Sequence, residues 1–172
     1  DPTEINIWFE NRVQALNKIQ EDAGSQFRRM ILLLKRFARS RGDTWDMPNG
    51  LKLTMLSDEC FERSSERDDK AFFFLLQNLS KRLQKSLVVV NRAQSQTSQD
   101  QLTKSDSDPN MVELRKRVNE ALEKLAITWS PSADKKATRE AWDWVFQTEG
   151  FFEDFDAKDD DDEEGDRGGG IA

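Results

Sequence analysis

The chain has 172 residues, 26 of them basic and 33 acidic, with one Cys and neither His nor Tyr. That length suits one domain with a real core and is short for two. The lack of His removes Ser-His and Cys-His catalysis and every His-bearing metal site from this chain. The single Cys60 excludes an intramolecular disulfide framework and suits a reducing compartment. No apolar run approaches the roughly 18 residues that a membrane span needs.

The net charge of −7 averages two unlike regions. Residues 153–172 carry ten acidic and two basic side chains, which leaves residues 1–152 near +1. A basic sheath for duplex DNA is therefore not evident. The chain opens on Asp1 rather than Met and is expected to be a piece of a longer protein.

Helical punctuation recurs along residues 1–152. Asp1-Pro2, Met47-Pro48, Asp108-Pro109 and Ser130-Pro131 each place a Pro where a first helical residue would sit. After Pro2, the residues Ile5, Trp8, Phe9, Val13 and Leu16 recur at helical spacing. Gly24-Ser25 reads as a helix break and cap before a second helix with Phe27, Met30, Ile31, Leu34, Phe37 and Ala38 on its apolar face. Lys35 is the one lysine in this apolar stretch, and a short polar turn then leads to Pro48-Asn49-Gly50. The third helix, about 51–61, is apolar nearly all round and is expected at the centre. Cys60 in this run reads as a packed thiol. The fourth helix starts near Asp68-Asp69 and carries Ala71, Phe72, Leu75, Leu76, Leu79 and Leu83.

Leu87-Val88-Val89-Val90 is either a short strand or a helix end running into a loop. Residues 91–108 are polar and aperiodic, as in a long surface loop, with one helical turn expected near Leu102. Met111, Leu114, Val118, Leu122 and Leu125 mark a fifth helix, and Trp142, Val145 and Phe146 a sixth. Residues 137–152, with Trp142, Trp144, Phe146, Phe151 and Phe152, are aromatic on more than one side, as in a core helix or a partner surface. After Phe155 the sequence AKDDDDEEGDRGGGIA sets like charges and glycines together and is expected to be flexible. The expected fold is all-α. A compact bundle of about six helices occupies residues 1–152, with Trp8, Trp45, Phe61, Phe72 and Phe73 in or near its core. An acidic tail occupies residues 153–172.

Two-metal phosphoryl transfer needs converging carboxylates on a scaffold. No Asp-x-Asp or Asp-x-Glu follows Gly24-Ser25 within fifteen residues, and the run Asp159–Asp162 has no scaffold. No catalytic residue and no metal ligand is therefore assigned to this chain. Lys35 has two readings: a lysine whose stem covers a helix flank while its ammonium reaches water, or a contact to nucleotide phosphates. Asn49 likewise is either the polar residue of a turn before a helix, or an amide that faces a phosphate or base beside a helix N-terminus.

Several pieces, taken in order, carry a family resemblance. They are Asp1, Pro2, Trp8 and Phe9; RRMILLLKRF at 28–37; W-x2-PNGLKLT at 45–54; RDDKAF at 67–72; Leu102-Thr103; and M-x2-L-x3-V-x2-AL-x2-L at 111–125. Together they resemble the C-terminal helical half of the bacterial cGAS/DncV-like nucleotidyltransferases, the CD-NTases of cyclic-oligonucleotide antiphage defence, over residues 1–127. The resemblance implies a cytoplasmic bacterial enzyme that condenses ATP or other NTPs into a cyclic di- or trinucleotide with Mg²⁺. Its catalytic half would precede Asp1. It implies that Lys35 contacts nucleotide phosphates. Asn49 sits near a position where relatives often carry Ser.

The resemblance also gives the tail a role. In some CD-NTases a partner with E1-like and E2-like domains adenylates the C-terminus and joins it to a target. That would make Gly168, Gly169, Gly170, Ile171 and Ala172 a conjugation segment with the Ala172 carboxylate as acceptor. A non-catalytic helical interaction domain with an acidic tail is the alternative.

Overall fold

A computed structural model of the protein describes residues 1–64 and 67–148. Among the described residues six α-helices follow one another: α1 (Pro2–Ile19), α2 (Ala23–Arg39), α3 (Gly50–Cys60), α4 (Asp68–Lys85), α5 (Pro109–Leu125) and α6 (Lys135–Phe146). Short 3₁₀ turns occupy Gly42–Thr44 and Ala126–Trp129. The fold of the described residues is all-α, and none of their helices is long and apolar enough to cross a membrane. The chain divides into two units, Asp1–Glu123 and a second that begins at Lys124. Phe151, Phe152 and the whole acidic tail, including Gly168 to Ala172, lie outside the described residues.

The helix starts show which punctuation the chain obeys. Asp1 caps α1 by accepting the Thr3 amide at 3.0 Å, with Pro2 in the first turn. Asp108 precedes Pro109 in the same way and accepts the Asn110 amide at 3.1 Å. The other two prolines do not open helices. Pro48 lies before the cap of α3, which is Asn49. Pro131 lies in a turn ahead of α6, whose cap is Asp134. The cap is the side-chain oxygen of the residue after Pro48 in the first case and of the third residue after Pro131 in the second, and that bond fixes the start.

The break between α1 and α2 falls at Asp22, in the left-handed region with φ 59°, and not at Gly24-Ser25, which are already helical. Gly24 has a different task. A Cβ there would lie 2.7 Å from Val13 Cγ1 and closer still to the Val13 carbonyl oxygen. The Gly24 amide also donates to Asn17 Oδ1 at 2.8 Å. The glycine therefore lets α2 cross directly on the backbone of α1. Phe27 lies in this contact with its ring 5.8 Å from that of Phe9 and 5.3 Å from that of Phe61.

The core of the first unit is built on α2, α3 and α4, with Phe27, Met30, Leu34, Phe37, Met55, Leu56, Phe72, Leu75, Leu76 and Leu79 fully buried. Helix α3 is central as its composition demands: none of its residues is fully exposed. Trp45 and Phe72 are buried, while Trp8, Phe61 and Phe73 are half-buried. On α5 the buried positions are Met111, Leu114, Val118, Ala121 and Leu125. Ala121 is fully buried, whereas Leu122, expected on the apolar stripe, is only half-buried. In the second unit Ala141 and Val145 are buried, and the rings of Trp142 and Phe146 stack 6.1 Å apart.

The segment after α4 is extended. Leu87, Val89 and Asn91 are buried in alternation, and Val90 forms an isolated antiparallel bridge with Gln101. Leu102 donates its amide to the Val89 carbonyl at 2.8 Å, so the expected helical turn near Leu102 is absent. Thr103 is buried and its hydroxyl accepts the Val89 amide. Cys60 is buried, and burial pushes its thiol up to about 12.

Gly24→Ala tests the helix crossing. Ala would favour an exposed helix by about 1 kcal/mol over Gly, but overpacking costs roughly 1–3 kcal/mol. The clash with backbone decides the sign, so we expect a lower urea midpoint. A midpoint equal to or above that of the wild type would show that the crossing relaxes freely.

Candidate functional site: the Lys35 and Gly50 junction

The site grows from the sequence between α2 and α3. Helix α2 ends on basic residues, Arg36 and Arg39, which suit the negative end of its dipole. Ser40 closes the helix, and its hydroxyl donates to the Phe37 carbonyl at 2.7 Å. Gly42, with φ 53°, then permits the tight 3₁₀ turn. Trp45 anchors the turn. Its ring meets Phe37 edge-on at 5.4 Å and has the Arg41 and Arg117 guanidiniums at 4.1 and 4.8 Å from its centre. Arg117 is itself fixed by Glu113 and Glu120 at 2.8 Å each. The turn is also tied to the start of α5, where Asn110 Nδ2 donates to Asp46 Oδ1 at 2.8 Å.

This rigid turn delivers Asn49 and Gly50. Asn49 Oδ1 accepts the Lys52 amide at 3.0 Å and so caps α3. Its Nδ2 has no partner among the described residues. Lys35 packs on the next residue: a Cβ at Gly50 would lie 3.3 Å from Lys35 Cε and 3.5 Å from Nζ. A side chain at this position would make the end of Lys35 shift by a few tenths of an ångström, so Gly50 lets the lysine lie closest to the helix start.

Lys35 is half-buried and has no hydrogen bond or ion pair among the described residues. Burial, and secondarily the charge of Arg39, lower its pKa from the ordinary lysine value. The free N–H groups at the start of α3 add partial positive charge beside it. Both features disfavour the ammonium and would be relieved by an anion. A cleft of about 580 Å³ opens beside the junction, lined by Arg39, Asp43, Trp45, Asp46, Asn49 and Gly50 among others. Lys35 itself is not in its wall. It touches the cleft only through Gly50, and Arg39, one turn further along α2, is the cation that faces it.

The structure thus brings Lys35 and Asn49 to the two sides of Gly50. Arg28 and Arg29 lie elsewhere, paired with Glu10 and Asp68 at 2.6 Å each. Two further parts of the site were not legible in the sequence: Arg39, although its spacing of four residues places it on the same helix face as Lys35, and Gly50, whose contact with Lys35 exists only in the fold. Among the described residues no three His, Cys, Asp or Glu side chains gather as metal ligands.

Lys35→Met keeps the aliphatic stem and removes the unpaired charge. Because the folded pKa of Lys35 lies below its unfolded value, the ammonium weakens the fold at neutral pH, and stability recovers as pH rises through the folded pKa. We expect Lys35→Met to melt no lower than the wild type. A clear drop in melting temperature would make Lys35 a structural residue. NMR titration of the Lys35 side chain should place its midpoint below that of the exposed lysines. No protein-family model matches the chain, and no curated protein matches it.

Proposed function

We propose that this chain is the helical C-terminal lobe of a nucleotidyltransferase that makes a cyclic di- or trinucleotide from NTPs in antiphage defence. The observation that carries the reading is the unpaired, half-buried ammonium of Lys35 packed against Gly50 at the N-terminus of α3. A protein that keeps a cation desolvated and unpaired gives up stability, and such groups gather where a ligand is bound. The ordered sequence pieces that resemble the CD-NTases supply the ligand class. A nucleotide triphosphate fits the charge and the donors present.

In this reading Lys35 holds a phosphate, and the α3 amides and the free Asn49 Nδ2 offer further donors to phosphate or base. Mg²⁺ and the catalytic carboxylates belong to the enzyme's own N-terminal half, and the metal supplies charge neutralisation at the transferring phosphate. The present lobe binds and positions; alone it is expected to be inactive. The acidic tail serves a second chemistry, in which an E1-like and E2-like partner activates the Ala172 carboxylate and joins it to a target. A non-catalytic helical interaction domain with an acidic tail is the alternative, favoured by the exposure of Ile7, Ile19 and Leu32.

Lys35→Ala in the enzyme with its catalytic half should weaken ATP binding or turnover about tenfold or more, the scale of one charge-assisted contact. Unchanged nucleotide binding and turnover would favour the interaction domain. For the tail, deletion of Ala172 should abolish any covalent adduct formed with the activating partner. An adduct that persists, seen by mass spectrometry, would place the modification on another residue.

A further inference from the structure

A second pocket of about 440 Å³ lies away from the Lys35 junction, lined by Trp8, Arg12, Asp58, Arg92, Gln94, Gln96 and Gln99. Its volume is in the roughly 300–1,000 Å³ range of small-ligand sites. Asp58 forms its floor, with a side chain only 2% exposed. Arg12 Nε donates to Asp58 Oδ1 at 2.5 Å, and Arg92 Nε donates to Oδ2 at 2.6 Å. One arginine would neutralise this carboxylate. The second leaves the three groups at a net charge of +1.

Both guanidiniums are held by their Nε edges. Their Nη groups have no hydrogen-bond partner among the described residues, although each guanidinium offers five N–H donors. Two oriented forks on one anchor are a fixed receptor for a phosphate or carboxylate. The loop that brings Arg92 here is itself ordered. Gln94 Oε1 accepts the Asp100 amide at 2.6 Å, and Gln94 Nε2 donates to Asp100 Oδ2 at 2.8 Å. The Arg92 amide points to Met55 Sδ at 3.3 Å.

Trp8 selects between the anions. It lines this pocket and also a neighbouring one of about 430 Å³ bounded by Asp1, Thr3, Glu4, Ile7, Asn11 and Ala93. The half-buried Trp8 is the residue that the two pockets share. An indole that lines an open pocket offers a stacking platform for a flat ring. Trp8 and Arg12 are four residues apart on α1, so their Cβ atoms lie about 5–6 Å from each other. That reach matches a mononucleotide, whose phosphate and base are a sugar apart. Gln96, with no hydrogen bond among the described residues, offers both a donor and an acceptor to a base edge.

We infer that the pocket between α1, α3 and the 91–100 loop binds a small nucleotide, with its phosphate on Arg12 and Arg92 and its base stacked on Trp8. The site is independent of the Lys35 junction. The test is calorimetric titration of the full chain with AMP, and separately with inorganic phosphate. AMP should bind, and Trp8→Leu should weaken it about tenfold, the scale of losing one base–aromatic stack. Arg92→Gln should weaken AMP by about tenfold or more. Phosphate should bind more weakly than AMP, respond to Arg92→Gln and ignore Trp8→Leu. Lys81→Ala, which removes an exposed charge on α4 outside the pockets, should change none of these values. Circular dichroism checks that each variant is folded; should Arg92→Gln fail to fold, Trp8→Leu, a half-buried change outside the ion pairs, decides alone. Absence of AMP binding to the folded chain would overturn the assignment. So would AMP binding that survives Trp8→Leu, and AMP binding lost in Lys35→Met would move the nucleotide to the other site.

Discussion

Helix α3 has no solvent face, and the rest of the first unit is arranged to satisfy it. Eleven residues are wrapped by neighbours, yet five of them carry polar side chains that cannot be left unpaired in a dry environment. The two hydroxyls solve the problem within the helix. Thr54 and Ser57 each donate to the carbonyl four residues back at 2.8 Å. The three charges must be met from outside. Lys52 lies 3.6 Å from Asp108 at the start of α5, Asp58 takes Arg12 and Arg92, and Glu59 takes Arg82 of α4 at 2.5 Å. Each of these charges therefore binds a different neighbour to the same helix.

Such pairs add little net stability compared with a well-packed apolar core, but removing one partner from a buried pair costs about 3–5 kcal/mol. Their effect is to specify arrangement. Asp108 illustrates how tightly the scheme is drawn. Burial raises its pKa, but the Lys104 amide, the Lys52 charge and the Asn110 and Met111 amides outweigh that, and the net shift is downward. Its contribution is thus present at neutral pH and lost as pH falls through the folded pKa. Gln26 plays a similar part without charge. It is buried, accepts the Ser64 amide at 3.0 Å and donates to Asp68 Oδ1 at 3.2 Å, which pins the connection between α3 and α4 to α2.

The helices were legible in the sequence because apolar spacing records a local period, and every long periodic run became a helix. What the period does not record is which polar residue wins a cap. Pro48 and Pro131 carry the same dipeptide signal as Pro2 and Pro109, but Asn49 and Asp134 reach the decisive amides. Gly24 looked like punctuation, whereas its role depends on Val13, eleven positions back, and only the crossing of two helices reveals it. The same holds for the pockets. Lys35 stood out as a cation in an apolar run, a one-dimensional anomaly. Asp58 was just as anomalous in a helix read as apolar nearly all round, and it was the clearer sign that counter-charges must converge there. Arg12 and Arg92, eighty positions apart, meet only through it. The ordered loop was hidden for a related reason: Gln94 and Asp100 close it through side-chain bonds, and polar composition alone does not distinguish a braced loop from a loose one.

Cys60 closes the account from another side. It is the only sulfhydryl in the chain, it is enclosed by the α3 core, and at a pKa near 12 almost none of it is thiolate at neutral pH. The native protein is therefore close to inert toward maleimides and other thiol reagents while it stays folded. A cysteine introduced at any exposed position would be labelled alone, with no need to remove the native one. Conversely, slow reaction of the unaltered chain with such a reagent would report directly on how often the centre of the bundle opens.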